Sequence, residues 1–121
     1  MAAPEISIAA SAAGPVRVLA VTGRLDHAQT AAFETALAPH LAVCTPGGTP
    51  LLFDFSGLEY ISSVGLRALM LVARTVSGQG GKAALAGLQP MVQEVFRISR
   101  FHHVMPMHDS VAAGVVALSA A

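Results

Sequence analysis

The sequence predicts an α/β domain: one mixed β-sheet of about four to five strands packed with about four helices. Three observations carry this. Two strand-like segments come first, and helical and strand-like segments then alternate. Apolar residues make up 54% of the chain, enough for a packed core. Glycine and proline clusters cut the chain into short periodic segments. The length of 121 residues fits one domain spanning 1–121, with no internal repeat or long linker.

The elements follow in order. Ile6 to Ala9 alternates weakly and reads as a short first strand, with a small-residue turn over Ser11 to Pro15. Val16 to Thr22 places β-branched residues at alternate positions and reads as a strand ended by Gly23 and Arg24. Asp26 is placed to cap a helix from His27 to about His40, with Ala32, Phe33, Ala36 and Leu37 on one face. Cys44 to Pro50 holds Pro46, Gly47, Gly48 and Pro50, and is a loop. Leu51 to Phe55 suits a buried central strand, and Ser56 to Ile61 a connection. Val64 to about Ser77 is the clearest helix, with Leu66, Leu69, Met70, Ala73 and Val76 at three- and four-residue steps. Gly78, Gly80 and Gly81 stop it. Lys82 to Ala86 reads as a strand, and Leu88 to about Ser99 as a helix with Pro90 near its start. Met70, Met91 and Phe96 are expected in the core. Val104 to Met107 suits a last strand, and Asp109 or Ser110 caps a final Ala/Val-rich helix expected to pack on the sheet.

Composition excludes several classes of function. Lys plus Arg number 7 and Asp plus Glu number 7, for a formal net charge of +0. A general nucleic-acid binder needs a basic stripe to neutralise phosphates, and a surface held on anionic lipid needs the same. A near-neutral surface favours association, so protein partners and a monomer or weak homodimer are expected. The lone Cys44 allows no intrachain disulfide and no CxxC zinc site. Met1 to Ala13 lacks Lys and Arg, and Pro4 and Glu5 interrupt it, unlike a secretory signal. No stretch reaches the roughly 18 apolar residues of a membrane span. A cytoplasmic protein is the expectation.

The informative segment is residues 54 to 69, Asp-Phe-Ser-Gly-Leu-Glu-Tyr-Ile-Ser-Ser-Val-Gly-Leu-Arg-Ala-Leu. Asp54 stands at the expected carboxyl end of a buried strand, the usual address of functional groups in such sheets. Ser62 and Ser63 stand at the expected helix start. Free N–H groups and the positive end of the helix dipole meet there. A serine at that place is ordinarily a cap worth ~1 kcal/mol. The same place also accommodates a phosphate.

The whole string resembles the signature of the STAS family, the anti-sigma factor antagonists. Asp54, Ser56, Ser63, Gly65 and Leu66 match its Asp-x-Ser and Ser-x-Gly-Leu positions, and Gly23, Leu25 and Asp26 match a second element, Gly-x-Leu-Asp. The resemblance implies a non-catalytic binding module with no metal or cofactor of its own. Unphosphorylated, such a protein binds an anti-sigma factor that is also a serine kinase, and so frees the sigma factor. Phosphorylation of the helix-start serine separates the pair, and a PP2C-type phosphatase restores the antagonist. By position Ser63 is the phosphoacceptor, with Asp26, Ser62, Asp54 and Gly65 near it. The family commonly has Asp immediately before the acceptor. Ser62 stands there here, bringing a hydrogen-bonding hydroxyl without charge and a second candidate for modification. The alternative that the resemblance leaves is a non-catalytic STAS subunit of a lipid-transport ABC ATPase, or of another regulatory complex, without a phosphorylation cycle.

Ser63, Arg67, Met70 or Leu71, and Arg74 recur at steps of about four, three and four, so they share one helix stripe. This stripe is the expected docking surface for the kinase, with its arginines meeting acidic groups. Other constellations fall short. His102, His103 and His108 match no zinc spacing, and adjacent histidines in a strand point to opposite faces. There is no Gly-x-Ser-x-Gly elbow of a hydrolase. The Gly78 to Gly81 loop lacks the Lys-Ser/Thr ending of a P-loop.

Overall fold

The computed structural model describes residues 6–119. In chain order they form β1 (Ser7–Ala13), β2 (Val16–Leu25), α1 (Thr30–Ala42), β3 (Leu51–Ile61), α2 (Ser63–Gly78), β4 (Ala83–Ala86), α3 (Pro90–Ile98), a 3-10 turn (Phe101–His103), β5 (Met107–His108) and α4 (Val111–Ser119). The sheet has five strands in the order β1-β2-β3-β4-β5. β1 runs antiparallel to β2, and each later neighbour pair is parallel. This is the expected mixed α/β architecture.

Alternation along β2 divides the core. Leu19, Val21 and Leu25 point to the main face, where they meet Phe33 and Leu37 of α1, Leu69, Val72 and Val76 of α2, and Val92 and Phe96 of α3. Val16 and Val18 point to the other face with Leu52, Ala84 and Ala86, and α4 covers them through Val111, Val115 and Leu118. The final helix therefore packs on its own sheet. Gly114 allows its close approach: a Cβ there would lie 2.7 Å from Leu52 Cδ1.

β3 departs most from the sequence expectation. It continues through Ser56 to Ile61 as strand rather than stopping at Phe55. Its pairing with β2 slips between Ala20 and Thr22 and again between Gly23 and Arg24, each time by one extra β3 residue. Each slip turns the following side chains over. Phe55, Leu58 and Ile61 thus all face the main core although they stand three residues apart. A period of three is not a strand period, so the segment reads as a connection. For the same reason β2 does not end at Gly23 and Arg24. Gly23 takes a positive φ of 105° at the second slip and the strand runs on to Leu25.

Smaller differences have local causes. β1 runs to Ala13, and the turn shrinks to Gly14 and Pro15, with Gly14 at φ 61°. α1 begins at Thr30, because Asp26 to Gln29 form a turn in which Asp26 Oδ1 accepts the Gln29 N–H at 3.0 Å. Phe33 and Leu37 are its buried pair, and Ala32 and Ala36 face outward. Met91 is exposed, because Val92 and Phe96, four residues apart, supply the inward side of α3. Met70 is half-buried against the core. The last strand is Met107–His108 rather than Val104 to Met107, because the Val104 and Met105 N–H groups turn back to the Phe101 carbonyl at 2.8 and 3.0 Å.

His40 near the end of α1 accepts a hydrogen bond at Nδ1 from Arg17 Nη1 at 3.1 Å. Burial, and then the Arg17 charge, hold its pKa below the ordinary 6.5. As pH falls through that value the unfolded chain takes up a proton that the folded chain resists. Stability should therefore be lost progressively below about pH 6.5 and be unaffected by this group above it. His40→Gln, which keeps an acceptor for Arg17, should reduce that loss. Thermal melts at about pH 7.5 and pH 5.5 compare the two proteins.

Candidate functional site at the start of helix α2

The Leu25 carbonyl oxygen, at the end of β2, anchors the junction between β3 and α2. It accepts the Ser62 N–H at 3.0 Å and the Ser62 hydroxyl at 3.4 Å. Ser62 is the N-cap in extended conformation, and its Oγ also accepts the Gly65 N–H at 3.1 Å. Its carbonyl accepts the Leu66 N–H at 2.8 Å, starting the helix. Every polar group of Ser62 is thus engaged in structure. Ser63, the first helical residue, is exposed, and its hydroxyl has no hydrogen-bond partner among the described residues. Position, burial and bonding separate the two serines.

Gly65 makes this junction possible. A Cβ there would run into the Leu25 carbonyl oxygen and lie 2.9 Å from Leu25 Cγ and 3.2 Å from Ile61 Cγ1. The first turn of α2 is therefore seated directly on the end of β2. Asp26 follows Leu25, the residue whose carbonyl anchors the junction. Arg24 Nε stands 4.0 Å from Asp26 Oδ2, and the Arg24 guanidinium lies 4.3 Å from the centre of the Tyr60 ring. Arg24 and Tyr60 face each other across the parallel pair, a placement the sequence reading missed. The signal was available: Arg24 lies inside the Gly-x-Leu-Asp element.

Asp54 is not part of this cluster. It sits within β3 rather than at its end, opposite Ala20, whereas Ile61 lies opposite Leu25. The intervening length of β2 is roughly 17 Å. Asp54 instead fixes the first slip: its Oδ1 accepts the Ser56 N–H at 3.0 Å and the Ser56 hydroxyl at 2.7 Å. Gln89 Nε2 donates to the Ser56 carbonyl at 2.8 Å, tying this point to the start of α3.

Along α2, Gly65, Ala68, Leu69, Val72, Ala73 and Val76 are buried. Ser63, Arg67, Leu71 and Arg74 are exposed on the opposite side, and neither arginine forms an ion pair among the described residues. Leu71 rather than the half-buried Met70 is the outward apolar residue between them. Elsewhere, His102 and His103 lie in the 3-10 turn with ring centres 4.2 Å apart, not in a strand. Among the described residues no three His, Cys, Asp or Glu side chains gather as a metal site. Cys44 is buried, and burial raises its thiol pKa. No described helix is long and apolar enough to cross a membrane.

The two sequence elements that meet at the Leu25 carbonyl belong to a known domain. The family model described as the STAS domain matches residues 7–114. The chain belongs to the STAS domain family. BtrV of Bordetella bronchiseptica, described as a candidate anti-sigma factor antagonist, is 34% identical over 104 residues, covering 86% of this chain and 87% of that protein. Among solved structures, an anti-sigma factor antagonist from Mycobacterium paratuberculosis superposes with a TM-score of 0.85 at 21% identity, over 99% of this chain and 100% of that one. The Bacillus cell fate determinant SpoIIAA in its phosphorylated form gives 0.65 at 17% identity, over 92% of this chain and 98% of that one. At these identities the structures establish the STAS fold. The likeness to BtrV places the chain with the anti-sigma factor antagonists of that family.

The division between the serines is measurable without a partner. Ser62→Ala should lower stability by about 1 kcal/mol through loss of the cap. Ser63→Ala should change it by less than about 0.5 kcal/mol, as for an exposed position. Urea unfolding of both variants checks this, and equal losses would contradict the assignment of Ser62 as the cap.

Proposed function

We propose that this chain is a switchable binding module. It binds an anti-sigma factor that is also a serine kinase, and is released when Ser63 is phosphorylated. The observation that carries this reading is the exposed, unpartnered Ser63 hydroxyl beside the fully engaged Ser62. In the transfer, Ser63 Oγ attacks the γ-phosphorus of ATP held by the kinase. The new O–P bond forms as the bond to the β–γ bridging oxygen breaks. ADP leaves, and the hydroxyl proton passes to a base on the kinase. A PP2C-type phosphatase then returns the serine by hydrolysis.

The helix start tolerates the product. The N–H groups of Ser63 and Val64 have no partner among the described residues and, with the helix dipole, favour an anion. The phosphate therefore acts on the partner rather than on the fold. It adds about 1.5 to 2 negative charges to a surface whose formal net charge is +0. Arg67, Leu71 and Arg74 extend the contact surface along α2, the arginines facing acidic groups of the kinase. Asp26, held 4.0 Å from Arg24 Nε, supplies a carboxylate next to the Leu25 anchor of this junction.

Intact mass after incubation with ATP and each anti-sigma factor kinase of the same genome tests the acceptor. A single phosphate on the wild type and on Ser62→Ala, but absent from Ser63→Ala, is expected. Loss only in Ser62→Ala would move the site by one residue. No phosphate with any kinase, beside a stable complex with a transport ATPase, would replace this reading by that of a structural subunit.

The arginine stripe has its own expectation. Arg67→Glu and Arg74→Glu should each weaken the unphosphorylated complex by about tenfold or more, about 1.4 kcal/mol. The loss should shrink as salt is raised, because the contact is between charges. Titration calorimetry at two salt concentrations measures both effects.

A further inference from the structure

Helix α3 leaves an apolar stripe uncovered. Met91 is 81% exposed, Val95 37% and Ile98 74%, and their spacing of four and three places them on one side of the helix. Met91 and Val95, with Tyr60 at 40% exposure and Ile61, Val92 and Glu59, line a cleft of about 90 Å³ between α3 and the end of β3. The fold does not use this surface: Val92 and Phe96 already supply the buried side of α3. A concentration of large exposed apolar groups on a small domain marks a contact surface.

The cleft adjoins the phosphosite. Ile61 forms part of its wall, and Ser63 follows two residues later, within roughly 7 Å along the chain. A kinase must cover the Ser63 hydroxyl to phosphorylate it. A usual protein interface covers about 800 Å² on each partner, a patch reaching about 16 Å from its centre. A partner seated over Ser63 with such a footprint also covers this cleft. We propose that the cleft takes an apolar side chain of that same kinase, with Met91 as an adaptable anchor and Glu59 on the rim meeting a basic group of the partner. This rests on the partner-switching reading above and extends it to a second helix. The interface then spans α2 and α3 on either side of Ser63, and α3 helps decide which kinase is accepted.

The test uses the full chain, ATP and the purified anti-sigma factor kinase that phosphorylates the wild type. Met91→Asp and Ile98→Asp change exposed residues and should leave the melting curve unchanged. Each should raise the KM for phosphorylation at least tenfold with kcat changed less than twofold. Val116→Asp, an exposed position on α4 across the sheet, should change neither. Unchanged KM in both α3 variants, or an equal rise in Val116→Asp, would overturn the cleft as a kinase contact and leave Ser63 as the acceptor. A wild type that sediments as a dimer, and as a monomer after Met91→Asp, would assign the face to a second copy and also overturn it. A wild type that gains no phosphate from any kinase would instead remove the partner-switching reading, and the cleft proposal with it.

Discussion

Everything at the candidate site depends on the Leu25 carbonyl oxygen. One acceptor receives the Ser62 N–H and hydroxyl and meets the first turn of α2 where only a glycine at position 65 leaves room. A misplacement of one or two residues along the chain would destroy this arrangement, because the helix cap, the glycine and the strand end must coincide. The coincidence is secured further back. β2 and β3 pair from Arg17 and Leu51 to Leu25 and Ile61, and the two slips between them bring Ile61 opposite Leu25 with its side chain inward. The fold delivers Ser63 to the surface by counting residues along β3.

That counting explains what the sequence revealed and what it concealed. α2 was legible because its buried side repeats at helical spacing without interruption, and its serine start and glycine stop bracket it. β2 was legible as far as Thr22 because it alternates. The second half of β3 was not, since its core residues Phe55, Leu58 and Ile61 follow neither the strand nor the helix period. Gly57 lies inside this strand, where a Cβ would come within 2.5 Å of Thr22 Cγ2 on the neighbouring strand. Placing the strand end at Phe55 in turn placed Asp54 beside the serines. In the structure Asp54 holds the slip through Ser56, and so acts on register rather than at the start of α2.

The motif residues therefore divide by physical role, which their shared membership of one signature does not reveal. Gly65 gives clearance, and Ser62 fixes the helix start. Asp54 and Ser56 stabilise a bulge, and Asp26 closes the turn into α1 while facing Arg24. Only Ser63 presents a reactive group with no structural partner among the described residues. Met91 illustrates the opposite limit of sequence reading. Its hydrophobicity suggested the core, yet a nine-residue helix with two inward residues already fills its share of that face. The surplus apolar side chain is displaced to the surface.

The serine at position 62 also bears on how a phosphate would be accommodated. An aspartate cap would place a carboxylate at the N-cap, one residue before an anionic group at the first helical position. Both would compete for the same few N–H donors and the same dipole, and they would repel each other. Ser62 caps through a neutral hydroxyl whose hydrogen goes to Leu25 and whose oxygen serves Gly65. The remaining first-turn donors are then free of a competing negative charge. A phosphate on Ser63 would meet less local opposition here than beside an aspartate. The free-energy difference between the two states of such a switch would then lie more in the partner's contacts and less in the antagonist's own helix. On the proposed reading, affinity for the partner would be reset by charge while the cap, the glycine seat and the strand register stay as they are.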